Sequence, residues 1–317
     1  MGGKKSKLKF IQKNMKEMEK WAANAKVAEI STLHQNLEKV IINHTYYYDA
    51  KKDNHDCKKY YQHIVKTKKT GKDLFYLHHI HAKAKHIRTI PYFISKDNYL
   101  YTWVDLHADG TVKSIYSGQK KNPQTLLLED FLTVNSRFYE FQTLLNNQRK
   151  NGNHIFQKVA VVDKQHKFNT EHVVPQSWFS AREPMKGDLH HLFVCEPHCN
   201  AARSNFPYGD HLHYVPESAS EKIRNQCGVV INQLFEPEYG KGIVARAMFY
   251  FLVRYPRAIR KRFRKSINYP LLREWNRTFP INMYEKHRNQ AIYQIQGNRN
   301  PFIDFPNLAE QIKFPDE

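Results

Sequence analysis

The stretch from Phe168 to Asn205, FNTEHVVPQSWFSAREPMKGDLHHLFVCEPHCNAARSN, constrains the fold more than any other part of the chain. Pro175 holds Val174 extended, so residues 168–174 read as a short extended segment. Leu189 to Cys195 is a second short strand, apolar at Leu192-Phe193-Val194. Pro197 suits the first position of a helix over 196–205, with Asn200 inside it and Arg203 three residues later. Strand, loop, strand and short helix follow within forty residues, too close together for anything but a compact ββα unit.

The polar residues of this unit suggest a chemistry. Glu171 and Asn200 offer a carboxylate and a carboxamide, both hard oxygen donors. Mg²⁺ takes few such ligands and keeps several waters. A metal held this way stabilises negative charge on phosphorus and on a departing oxygen. His172, beside Glu171, is then the expected base for an attacking water, since an ordinary imidazole is largely neutral at pH 7. Adjacent residues of a regular strand point to opposite faces. The pair is therefore expected to share a site only if the strand bends or bulges there. A lone Glu-His pair is most often surface chemistry; three ordered motifs in forty residues are much harder to obtain by chance.

These motifs, EHVVP at 171–175, DLHHL at 188–192 and NAARSN at 200–205, resemble the endonuclease I family of non-specific nucleases, within the His-Me finger (ββα-metal) group. The resemblance implies an α+β fold, a ββα-metal nuclease core wrapped by helices. It implies one divalent metal, Mg²⁺ first, with Glu171 and Asn200 as ligands and His172 as general base. The family commonly has Asn where this chain has His191, so His191 receives no catalytic role. VARAMFY at 244–250 and the segment 285–304 are similar to the family too, and Asn298, Arg299 and Asn300 are expected to be structural. The similarity covers roughly 165–210 and 234–304 and is gone before residue 70. The expected division is a basic helical extension over 1–70 and a nuclease-like domain over 71–317.

Charge points the same way. Lys and Arg number 50 against 30 Asp and Glu, a net +20, which favours a polyanionic partner such as DNA, with RNA as a second substrate. The densest basic run follows Pro256: Arg257, Arg260, Lys261 and Arg264 are expected to hold phosphates, together with Arg203. There is no acid from Phe251 to Lys265. Residues 1–90 carry 20 Lys or Arg against 8 Asp or Glu, and the Lys- and Tyr-rich stretch 47–73 suits backbone contact, although such a stretch is more often a solvated face. No base-reading module, no motif for a protein partner and no run of 18 apolar residues is present. The basic N-terminus lacks the apolar core of a secretory signal, which by default places the protein in the cytoplasm, although the resembled family is often exported.

Four cysteines, Cys57, Cys195, Cys199 and Cys227, leave three readings open: buried free thiols, a disulfide, or a zinc site completed by His198. Elsewhere, residues 4–45 read as helical through Leu8, Ile11 and Met15, then Leu33, Leu37, Val40 and Ile41. Alternation over 99–118 around Asp109-Gly110 predicts a β-hairpin. Leu126–Leu145 reads as an amphipathic helix with Leu127, Phe131, Phe138 and Leu145 inward, and Ala245, Met248, Phe249 and Leu252 as the core face of another. Two other function classes stay open at this point: a nucleic-acid-binding protein with an inactive site, and a structural zinc protein.

Overall fold

The computed structural model describes residues 26–42, 44–65, 67–147, 169–214, 226–315 and 317. The expected helical face of Leu8, Ile11 and Met15 lies outside these residues. In chain order the elements that matter are α1 (Lys26–Ile42), α2 (Ala50–Tyr61), α3 (Gly71–Lys85), a π-helix (Ser95–Val104), and the pair β1 (Val112–Lys113) and β2 (Lys120–Lys121). Then come α4 (Pro123–Asn147), β3 (Thr170–His172), β4 (Leu192–Val194) and α5 (Pro197–Arg203). The chain closes with β5 (Gly228–Ile231), β6 (Leu234–Pro237), α6 (Lys241–Arg254), α7 (Lys261–Arg264), α8 (Tyr269–Thr278), α9 (Met283–Gln296) and α10 (Pro301–Asp304). Among the described residues the strands form three separate antiparallel pairs, so helices supply most of the packing and the fold is α+β.

The hub is α6. All 14 of its residues are buried, not only the face of Ala245, Met248, Phe249 and Leu252. Such a helix must neutralise its own charges. Arg246 does so with a two-pronged bond to Glu285, Nε to Oε1 at 2.6 Å and Nη2 to Oε2 at 2.8 Å. Glu285 is also the third residue of α9 and closes a capping box with Asn282, so one carboxylate ties two helices. Asn298, Arg299 and Asn300 continue this framework. Asn298 Nδ2 donates to Tyr250 Oη at 2.6 Å, and Asn300 Nδ2 donates to the Arg246 carbonyl at 3.1 Å. Arg299 pairs with Asp304 and with Asp53.

That last pair joins the extension to the rest. Tyr61 Oη also donates to Asp304 at 2.9 Å, and the Tyr47 ring stacks on His287 at 4.1 Å. Residues 44–65 therefore share a core with the C-terminal helices, and the boundary expected at residue 70 does not coincide with a gap in the packing. Lys51, Lys52, Lys58 and Lys59 face solvent on the outer side of α2. Truncating the first 70 residues would take Asp53 from Arg299 and Tyr61 from Asp304. Charge reversal is the cleaner test of a phosphate-holding role. Lys58→Glu with Lys59→Glu is expected to leave the melting temperature nearly unchanged. It should flatten the dependence of DNA affinity on salt by about 0.9 for each phosphate no longer neutralised, measured with EDTA present. An unchanged slope would make this a merely solvated face.

The hairpin expected over 99–118 forms only in part. Asp109 and Gly110 do turn the chain, with Gly110 at φ +77° and Thr111 N–H on Asp109 Oδ1. The first run, however, is the π-helix. Short apolar alternation does not separate strand from helix when both faces are buried, and Leu100, Tyr101 and Val104 are all wholly buried. In α4, Leu127 is buried and Phe131 half-buried; the side chains of Phe138 and Leu145 lie outside the described set.

The interior holds many histidines. Burial pushes His78, His81, His107 and His190 down to about 4. Unfolded, each binds its proton near pH 6.5. The unfolded state therefore carries more protons between these values, and stability falls as pH falls. The melting temperature is expected to decline steadily from about pH 6.5 toward pH 4. A flat profile over that window would contradict the buried neutral histidines.

Candidate active site

β3 and β4 pair antiparallel in regular register, Thr170 with Val194, Glu171 with Phe193 and His172 with Leu192. The register carries no bulge, and the chain bends just after the pair, at Val173 and Val174. β3 is only three residues long and has a strand on one edge alone. Against it lies α5, whose Asn200 Nδ2 donates to the Thr170 carbonyl at 2.7 Å. A polar cleft of about 200 Å³ opens here, bordered by Glu171, His172, Gln176, Ser177, Asn200 and Asn205. The two side chains take different partners, and both border the cleft.

His172 is 5% exposed. Its Nε2 lies 2.8 Å from the Lys186 carbonyl, which can only accept. The proton is therefore on Nε2, and Nδ1 is the basic nitrogen. Burial, then the neighbouring His191 ring and the Lys186 charge, hold the ring's pKa well below that of a free imidazole. The ring packs at 5.1 Å on Tyr92 and at 5.4 Å on His191. His191 makes a matching bond from Nε2 to the Met185 carbonyl. Two imidazoles thus grip successive carbonyls of one turn, which explains a buried His191 without giving it chemistry.

Glu171 is 3% exposed, and two groups hold its Oε1: Tyr116 Oη donates at 2.8 Å and Arg203 Nε lies at 3.3 Å. Arg203 was expected at a phosphate, and the structure does not place it there. It is wholly buried, donates to the Val173 carbonyl at 3.0 Å and sits 4.9 Å over the Tyr208 ring. A buried carboxylate needs a paired cation more than a solvated phosphate does. Arg203 orients Glu171.

Of the other expected phosphate contacts, Arg257, Arg260 and Lys261 are exposed and Arg264 is half-buried. Only Lys261–Arg264 is helical, so Arg257 lies in the preceding turn rather than on one helical face. The segment docks beside the cleft. Arg260 N–H donates to the Trp178 carbonyl at 2.9 Å, its Nη2 donates to Ser180 Oγ at 2.9 Å, and Phe263 stacks on Trp178. The short helix it grips, Gln176–Phe179, lends its first residues to one wall of the cleft.

Cys199 on α5 is bonded to Cys227, just before β5, while Cys57 and Cys195 are free. His198 lies near the two paired sulfurs. A disulfide leaves no thiolate for zinc, so the zinc reading loses its ligands. Hard donors fit a different ion. With its nitrogen spent on Thr170, Asn200 keeps its carbonyl oxygen as the acceptor beside the cleft, and the Glu171 carboxylate borders the same space. Two hard oxygens in a cleft with room for several waters suit a hard divalent metal.

Sequence reasoning missed the support beneath this site. Tyr116 sits in an undistinguished loop. Tyr101 Oη reaches both Asp130 Oδ2 at 2.7 Å and Thr170 Oγ1 at 2.6 Å, and Asp130 also accepts the Asn169 N–H at 3.0 Å. Lys96 pairs with the same carboxylate at 2.6 Å. Nothing local marks these residues; they are found only when distant elements meet.

An antiparallel strand pair followed by a short helix brings a carboxylate, an imidazole and a carboxamide to one cleft. The chain belongs to the endonuclease I family, whose sequence model matches residues 94–307. It is 32% identical over 161 residues to an extracellular ribonuclease of Bacillus amyloliquefaciens, covering 46% of this chain and 53% of that protein. The same identity holds against an extracellular ribonuclease of Bacillus subtilis (strain 168), over 46% and 54%. An extracellular deoxyribonuclease of Aeromonas hydrophila is 30% identical over 125 residues, 38% of this chain and 50% of that protein. The chain thus spans about half the length of the curated relatives it matches.

Proposed function

We propose that this chain is a metal-dependent endonuclease that hydrolyses phosphodiester bonds in DNA, and in RNA as well, with little sequence preference. The observation that carries this reading is the imidazole of His172. Its Nε2 proton is fixed on a backbone carbonyl and its basic Nδ1 belongs to a cleft shared with two hard oxygen donors. Relatives named as ribonucleases and as deoxyribonucleases support both substrates.

In this reading Nδ1 takes the proton of a water as that water attacks phosphorus. Burial keeps the ring neutral and ready to do so at pH 7. Glu171 and Asn200 would hold one divalent metal, Mg²⁺ first, which when bound supplies charge stabilisation at the phosphoryl oxygens. Tyr116 and Arg203 orient the carboxylate, and the Thr170 carbonyl orients the carboxamide. Arg257, Arg260, Lys261 and Arg264 hold the substrate backbone from the neighbouring wall. Phosphate contacts carry no sequence information, hence the weak preference. Relatives named extracellular or periplasmic, and the Cys199–Cys227 bond, support work in an oxidising compartment rather than the cytoplasm. Among the described residues no helix is long and apolar enough to cross a membrane.

Titrating Mg²⁺ tests the ligand assignment. Glu171→Ala and Asn200→Ala are each expected to raise the metal concentration for half-maximal cleavage about 10–100-fold, or to abolish activity. If both variants titrate like the parent, the ligands lie elsewhere.

A further inference from the structure

Gln176 belongs to no motif and carries no role in the mechanism above, yet it touches the base. Its Nε2 lies 3.3 Å from His172 Nδ1. With the ring's only proton held on Lys186, the amide must donate and the imidazole accept. The nitrogen that should receive the water's proton is therefore already engaged. At 3.3 Å the bond is longer than ordinary N–H···N or N–H···O bonds, so it is weak and exchangeable. Gln176 is half-buried and borders the cleft. Its backbone cannot drift. Pro175 fixes the approach, and the Gln176 carbonyl accepts N–H groups from both Ser180 and Ala181. Only the side chain is free to change its hydrogen bond.

We propose that Gln176 is a positioning residue for the attacking water, and this rests on the nuclease reading of the same cleft. The water enters between the two side chains. It gives a hydrogen to His172 Nδ1 in place of the amide, and its oxygen accepts the amide's N–H. One lone pair is thereby tied to Gln176, one O–H is committed to the base, and a remaining lone pair points at phosphorus. On attack the oxygen–phosphorus bond forms and the proton passes to Nδ1. The bond from phosphorus to the departing oxygen breaks, and that oxygen takes a proton from solvent. Before substrate arrives, the same amide covers Nδ1 and keeps it in its acceptor form. His191 just before β4, Lys186 on the turn and Tyr92 face the ring from its other sides.

Gln176→Met tests this in the full chain, because methionine keeps the length and volume of glutamine and lacks the amide. The expected result on plasmid DNA with Mg²⁺ is a kcat about 10–100-fold lower, as for a misplaced nucleophile. KM and the half-maximal Mg²⁺ concentration should stay within about twofold, and the melting temperature should be unchanged. In metal-free protein the ¹⁵N resonance of His172 Nδ1 should move toward that of an unbonded acceptor nitrogen. Parental kcat in Gln176→Met would overturn the proposal, as would a rise in KM that accounts for the whole loss. Parent protein that fails to cleave in the same assay would instead remove the nuclease reading beneath it.

Discussion

His172→Ala should lower the rate of DNA cleavage about 10²–10⁴-fold, the usual contribution of a positioned general base. Affinity for DNA, measured with EDTA present, should be almost unchanged, because His172 is 5% exposed and presents an edge rather than a charge to the cleft. Some stability will be lost with the ring, since its Nε2 holds the Lys186 carbonyl and its face packs on Tyr92. Circular dichroism at the assay temperature separates this from lost chemistry. A folded variant that turns over like the parent would remove His172 from the mechanism.

The second large effect concerns stability. Arg203→Ala leaves the Glu171 carboxylate buried beside Tyr116 without its cation, and frees the space over Tyr208 and Trp178. Breaking a buried pair by removing one partner costs about 3–5 kcal/mol. For a chain of this size that corresponds to a melting temperature lower by roughly 2–4 °C per kcal/mol. The exposed cations Arg257 and Lys261 should behave oppositely. Their alanine variants should keep stability within about 0.5 kcal/mol, and their DNA binding should weaken and fall less steeply with salt. Differential scanning calorimetry beside salt-dependent binding makes the comparison. If Arg203→Ala melts like the parent and binds DNA as weakly as the exposed variants, Arg203 is a phosphate contact after all.

This contrast shows where sequence reasoning ends. The ββα order of the hairpin and α5 was legible because prolines and apolar runs act locally. The placement of Glu171, His172 and Asn200 on one cleft follows from that order. Burial is a different kind of property. Arg203 and Arg260 look alike in sequence, and only the packing of Tyr116, Tyr208 and Trp178 around the first puts it inside. The π-helix at Ser95–Val104 was misread for the same reason: its aromatic alternation suits a strand, and its surroundings on α1, α4 and α9 decide otherwise. The family model matches from residue 94 onward, yet Asp53 and Tyr61, well before it, meet Arg299 and Asp304 from across the chain. Gln176 escaped notice because its significance is a single bond to a neighbour's ring.

On the proposed function, one divalent metal and one imidazole in this cleft cut nucleic acid. Supercoiled plasmid incubated with the full chain and Mg²⁺ should be nicked and then degraded, stop being cut when EDTA is in excess, and be cut again when Mg²⁺ is restored. Plasmid left intact with Mg²⁺ and other divalent ions, or cleavage indifferent to EDTA, would contradict it.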